Sequence, residues 1–239
     1  MTVDVCNLTK IYGTNKAVDN ISFSIGEGQV VGFVGPNGSG KTTTMNIMAT
    51  LDEPTSGDVF IDGKSVIDYS DYARRVIGFM PDYIPSQSDI SAHEYIDFFA
   101  RAHGLTGAKL KHRVREVEEF TNIRQIRDKE INKLSRGMKQ RVSLARAMVH
   151  DPELLIMDEP ANGLDPRARI EFRAYIKRLA ADGKAVLISS HILADLAEIC
   201  THCMIIERGR IVKHLSGDIK SMDLESAFME FTRSEIEYN

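Results

Sequence analysis

The stretch Gln29-Val30-Val31-Gly32-Phe33-Val34-Gly35-Pro36-Asn37-Gly38-Ser39-Gly40-Lys41-Thr42-Thr43 decides the fold. Its first six residues are almost wholly apolar, the pattern of a strand buried on both faces. Gly35 to Thr42 then fits G-x-x-x-x-G-K-[ST], and a helix is predicted from about Lys41. Glycines let the backbone curl so that successive N–H groups point inward at phosphate oxygens, and the positive end of the following helix strengthens that field. Lys41 is placed to reach the terminal phosphates of a nucleoside triphosphate. The Thr42 hydroxyl suits Mg²⁺, which keeps most of its waters and takes few protein oxygens.

Working outward, the first third reads as strands: VDVCNL, AVDNISFSI, QVVGFVG, DVFIDG and VIGFMP, with Gly26 and Gly28 marking a tight turn. Between about Ile84 and Lys133 the pattern turns helical. Ser91 and Glu94 form a capping-box pair, and Tyr95, Phe98, Phe99 and Ala102 recur at helical spacing, a stripe expected to be core. From Leu134 onward helices and strands alternate: a helix from Ser135 to about Val149, the strand LLIMD, a helix from Pro166 to Ala181 with Asp165 as N-cap, the strand AVLISS, the strands HCMIIERG and RIVKHL, and a helical tail near Leu224 to Phe231. Alternation of this kind predicts an α/β fold whose mostly parallel sheet is covered on both faces. The expected organisation is a single domain over 1–239. In that organisation residues 1–83 and 134–214 would form a nucleotide-binding core lobe that includes an N-terminal antiparallel β subdomain. Residues 84–133 form an inserted helical subdomain whose last helix continues to about 149, and 215–239 form a short tail.

The second chemical element lies at the end of LLIMD. Asp158 and Glu159 follow four apolar residues, so they sit at the carboxyl end of a buried strand, where open α/β sheets place their ligands. Asp158 is expected to hold Mg²⁺, and Glu159 to polarise a water for in-line attack on a γ-phosphate. His191 ends AVLISS on the same sheet edge, where a neutral imidazole can hydrogen-bond the γ-phosphate or the water.

Composition narrows the classes. The 239 residues carry 30 Lys+Arg against 34 Asp+Glu, a net charge of −4, and the pI is near 6.0. That balance argues against a nonspecific nucleic-acid binder, and no nucleic-acid partner is expected. No apolar run approaches the roughly 20 residues of a membrane span, and the start MTVDVCNLTK does not read as a signal peptide. Cys6, Cys200 and Cys203 make no disulfide framework, and Cys200-x-x-Cys203 lacks a second ligand pair for zinc. Arg74-Arg75 and the basic run from Lys109 to Arg115 read as solvated faces.

These motifs, in this order, resemble the ATP-binding subunits of ABC transporters. Leu134-Ser135-Arg136-Gly137-Met138 stands where that family's LSGGQ signature stands, and KQRVSLARAMVHDPE continues it. Ala161-Asn162-Gly163-Leu164-Asp165 is similar to its D-loop. The resemblance implies that Tyr12 stacks on adenine with Val18 beside it, and that Ser135 and Gly137 face the ATP of a second subunit. Two chains, either two copies or one with a paralogue, would then sandwich two ATP molecules head to tail. It further implies ATP hydrolysis that drives a separate transmembrane permease, at the cytoplasmic face of the membrane. The lobe containing Asp82, Tyr83, Ile84 and the Tyr95 helix would be the docking surface. Two departures stand out: Asp82 replaces the usual Q-loop glutamine, where it is a further candidate Mg²⁺ ligand, and the signature carries Arg136 and Met138. Arg136 either adds charge near the γ-phosphate or points to solvent. Together the departures look like an exporter variant. A soluble ATPase of the same type serving a cytosolic assembly is the alternative.

Overall fold

The computed structural model describes residues 1–82 and 89–232, with the last two described by backbone alone. Tyr83 and Ile84 lie outside the described residues. In chain order the elements are β1 (Thr2–Tyr12), β2 (Asn15–Gly26), β3 (Val30–Val34), α1 (Lys41–Met48), β4 (Ser56–Ile61), β5 (Lys64–Ser65), α2 (Ser70–Val76), β6 (Ile77–Met80), α3 (Ala92–Ala102), α4 (Gly107–Phe120), α5 (Arg136–Met148), β7 (Leu154–Met157), α6 (Pro166–Ala181), β8 (Ala185–Ser189), α7 (Leu193–Ile199), β9 (His202–Glu207), β10 (Arg210–Ser216) and α8 (Leu224–Thr232).

Two sheets form the core. One is antiparallel, in the order β2-β1-β4-β5; the other has the order β10-β9-β3-β8-β7-β6 and is parallel except for the edge strand β10. Period-2 side-chain alternation sends successive residues of the parallel strands into two different cores. Val31, Phe33, Leu154, Ile156 and Leu187 pack toward α1 and the antiparallel sheet. Val30, Val34, Leu155, Met157, Val186 and Ile188 pack on the opposite side with the remaining helices. A strand that must bury both faces can afford no polar position, which explains why these segments read as unbroken apolar runs.

Between β6 and α5 the chain forms the helical lobe. Ser91 caps α3 in a full capping box with Glu94, and an antiparallel bridge from Ser91 to Glu130 closes the lobe's two ends on each other. Inside it, the carboxylate of Glu118 is 1% exposed and is matched by His93 Nδ1 at 2.6 Å and Arg127 at 3.5 Å. The buried face of α3 is Ala92, Tyr95, Ile96 and Ala100, with Phe99 packed at its margin. This corrects the expected stripe: Phe98 is 62% exposed and Ala102 is exposed. The 3–4–3–4 spacing of 92, 95/96 and 99/100 sets the axis of burial, which leaves Phe98 on the flank, edge-on to Phe99 at 5.3 Å.

Candidate active site

The order β3-β8-β7-β6 sets four carboxyl strand ends side by side. They deliver, in turn, the glycine-rich loop, Ser189 to His191, Asp158-Glu159 and Asp82. Together these border a cavity of about 810 Å³ that is also lined by Tyr12, Asn15, Ala17 and Asn162.

The glycine-rich loop owes its shape to two positions. Gly40, the N-cap of α1, has φ 104, and a Cβ there would lie 2.4 Å from the Ala17 carbonyl oxygen. At Gly35 a Cβ would lie 2.2 Å from the Ile206 carbonyl oxygen. Only glycine lets the backbone follow this path. The Lys41 ammonium donates to the carbonyls of Gly35 (2.7 Å) and Pro36 (3.1 Å). Burial pulls it below the usual lysine range, against the opposing pull of Glu159 and Asp158. The buried Ser39 Oγ has no hydrogen-bond partner, so an unused donor waits inside the loop, as a bound phosphate requires.

Across the cavity, Asp158 uses both oxygens: Oδ2 accepts from Thr42 Oγ1 at 2.7 Å and Oδ1 accepts from Ser189 Oγ at 2.6 Å. Ser189 Oγ also accepts from the Glu159 backbone N–H at 2.8 Å. Ser189 therefore fixes both acids, a role that the sequence reading did not give it. Glu159 sits at φ 46, a left-handed conformation costly for a non-glycine residue. Its N–H bond to Ser189 and its carbonyl bond from Asn162 N (3.0 Å) hold it there. The side chain is 15% exposed, and its Oε2 lies 2.8 Å from His191 Nδ1. With Nδ1–H donating to the carboxylate, Nε2 of a neutral ring is left as an acceptor.

The remaining site residues are distributed as follows. Tyr12 is 48% exposed and faces the cavity. Val18, expected beside it, is 1% exposed and belongs to the core, because strand alternation turns Ala17 to the cavity and Val18 inward. Pro36, Asn37, Gly38, Ser39 and Thr43 all line the cavity. Ser135 caps α5 and accepts from Met138 N at 3.3 Å; Ser135 and Gly137 are not among the lining residues of this cavity. Asp165 caps α6 and accepts from Ala168 N at 2.8 Å. Asp82 lines the cavity, and its Oδ1 lies 3.7 Å from Arg136 of the same chain. Arg136 follows the second of the two expected courses in part, with its side chain 52% exposed to solvent. It lies against Gly163, where a Cβ would come within 2.6 Å of its Nε. Phe228 of α8 also borders the cavity, an element the motifs gave no reason to place there. Cys200 and Cys203 are buried core residues whose thiols are pushed up by desolvation, Cys203 to about 12.

For a metal, the donors are hard oxygens. Among the described residues no group of three or more His, Cys, Asp or Glu side chains converges to hold an ion by itself. A hydroxyl and one carboxylate, Thr42 and Asp158, instead match the mode in which Mg²⁺ is shared between a protein and substrate phosphates.

Comparison with known proteins agrees with this geometry. Residues 18–162 match the ABC transporter family. The Nod factor export ATP-binding protein I of Cupriavidus metallidurans is 37% identical over 204 residues, which cover 85% of this chain and 67% of the relative. The solved structure of an ATP-binding subunit of an ABC transporter superposes with a TM-score of 0.85 at 26% identity, covering 97% of this chain and all of that one. A dimeric ATP-binding cassette solved in a post-hydrolysis state with ADP and phosphate gives 0.79 at 26% identity, covering 90% and 98%. A strand-end site of this build, matched over most of its length to such proteins, places the chain in the ABC transporter family as one of its ATP-hydrolysing subunits.

Proposed function

We propose that two such chains, identical or paralogous, close head to tail over two Mg²⁺–ATP and drive export through a separate permease on the cytoplasmic face of a membrane. The observation that carries the catalytic part is the pairing of Glu159 with His191 at 2.8 Å on the rim of the cavity that holds Lys41, Thr42 and Asp158. In this reading the N–H groups of 35–43 and the Lys41 ammonium bind the β- and γ-phosphates. Thr42 and Asp158 would hold Mg²⁺, which when bound offsets phosphate charge. Glu159 accepts a proton from water as the water oxygen bonds to the γ-phosphorus and the bond to the β-phosphate oxygen breaks. His191 keeps the carboxylate aimed. Ser135, at the exposed N-terminus of α5, would meet the partner's ATP; that two copies can pair is supported by the relative solved as a dimer with ADP and phosphate.

A cleft of about 690 Å³ between the core and the helical lobe supports a permease-docking role. It is lined by Leu51, Phe79, Pro81 and Phe99 with Arg146, His103 and His150, and Leu51 is 63% exposed. No described helix is long and apolar enough to cross a membrane. Export is supported by the Asp82 and LSRGM variants together with the name of the Nod factor relative. The test of the site is Glu159→Gln. ATP should still bind while turnover falls by about 10²–10⁴-fold, and a closed dimer should accumulate in size-exclusion chromatography. Wild-type turnover in that variant would remove Glu159 from the reaction.

A further inference from the structure

Tyr12 stands where its strand loses support. β1 pairs with β4 only as far as Thr9↔Ser56, and its pairing with β2 ends at Tyr12↔Asn15. The last residues of β1 are therefore the tip of a hairpin with one strand beside them. On the open side, the loop between α1 and β4 takes over. Thr55 N donates to Thr9 O at 2.8 Å, and Thr55 Oγ1 accepts from Ile11 N at 3.0 Å. Asp52 completes the edge through side chains alone: Oδ1 accepts from Lys10 Nζ at 2.6 Å, and Oδ2 accepts from the Tyr12 phenol.

Several further contacts fix that carboxylate. The Glu53 backbone N–H donates to Asp52 Oδ1 at 2.8 Å, and Lys10 Nζ also reaches the Glu53 carbonyl at 2.6 Å. The bonds from Lys10 and then Tyr12 hold Asp52 below the usual carboxylate range. Lys10 Nζ also lies over the Tyr12 ring, 4.8 Å from its centroid. One face of the ring is thus covered by a cation, and a planar ligand has the other. The ring itself is half exposed beside the phosphate loop, where an unpinned tyrosine would lose rotamer freedom each time a base stacked on it.

We infer that Asp52 is a positioning residue for adenine: it fixes the Tyr12 ring, with Lys10 behind it, in the orientation that receives the base before ATP arrives. The inference rests on reading Tyr12 as the adenine platform. It requires that Asp52 act on the base and leave the triphosphate untouched, since Asp52 is not among the residues lining the phosphate cavity.

Isothermal titration of the whole chain with Mg²⁺–ATP and, separately, with Mg²⁺–tripolyphosphate separates the two. Asp52→Ala should weaken ATP about five- to tenfold and leave tripolyphosphate within about twofold, which also reports that the variant is folded. Tyr12→Phe keeps the ring and loses the phenol, so it should show a similar loss. The double variant Asp52→Ala/Tyr12→Phe should be no worse than either single one. Unchanged ATP affinity in Asp52→Ala overturns the inference, as does an equal loss for both ligands, or full additivity in the double variant. Tyr12→Ala tells the two layers apart. If it leaves ATP affinity unchanged, the platform reading itself falls; if it weakens ATP while Asp52→Ala does not, only the positioning role falls.

Discussion

Ser189 shows how much a single hydroxyl can organise. It donates to Asp158 Oδ1 and accepts from the N–H of Glu159, so one side chain orients the acid that would hold Mg²⁺ and steadies the strained backbone of the acid beside it. Groups that orient ligating carboxylates typically change affinity or activity by about 10–100-fold when removed. Ser189→Ala should therefore lower steady-state ATPase turnover by roughly 10-fold or more, with ATP binding to the phosphate loop retained in a fluorescent-nucleotide titration. Lys41→Ala should do the reverse and abolish binding at micromolar ATP, because the ammonium seated in the loop at Gly35 and Pro36 contributes the cavity's positive charge. A Ser189→Ala enzyme with wild-type turnover would show that Asp158 and Glu159 hold their places without it.

At the scale of elements, the N-terminus of α5 is tied into its own chain. Arg136 lies against Gly163 in the loop before α6 and 3.7 Å from Asp82 at the end of β6, so the start of α5 meets two segments that border the site. Both charged groups are about half exposed, and such a pair contributes little stability by itself. The closer constraint is steric. Gly163 has φ +69, and any Cβ there would meet the Arg136 side chain. Gly163→Ala combines that clash with a backbone penalty of about 1–2 kcal/mol. For a chain of this length it should lower Tm by about 2–8 °C. Adding Arg136→Ala removes the clash and should recover part of the loss, measurable by thermal unfolding. If the double variant is no more stable than Gly163→Ala, the contact carries none of the cost.

Over the whole molecule, two cores lie on opposite faces of the parallel sheet, and the cleft between the core and the helical lobe carries a titratable pair. His103 and His150 stack with ring centroids 3.7 Å apart. His150 Nε2 lies 2.9 Å from the Ile77 carbonyl, and its Nδ1 has no partner. Burial, then the neighbouring His103, lowers the His150 pKa to about 4, and burial with Arg146 lowers that of His103. The unfolded chain, with His150 near 6.5, binds a proton that the folded one refuses. Stability is therefore full above about pH 6.5 and falls as the pH drops toward 4, with an upper bound of about 3 kcal/mol from His150. Tm measured from pH 7 to 4.5 should fall more steeply in the wild type than in His150→Gln, which keeps an N–H donor for Ile77. Parallel curves would show that the pair does not titrate in this window.

The sequence by itself determined the phosphate loop, the two acids after LLIMD, His191 after AVLISS, and the α/β class. Each of these depends on a local rule: glycine where the backbone must curl, an unbroken apolar run where a strand is buried on both faces, a polar residue where that strand ends. Only the tertiary structure decided which of those ends become neighbours. Strand order and register bring Thr42 to Asp158 across 116 residues and Tyr12 to Asp52 across 40. The same register turns Val18 into the core and Ala17 to the cavity. The packing of α3 chose Ile96 and Ala100 over Phe98 and Ala102, and the meeting of three loops gave Arg136 its place against Gly163. Local periodicity gives each element two or more faces, but which face is buried and which distant residue it meets are set by the pairing of backbones far apart in the chain.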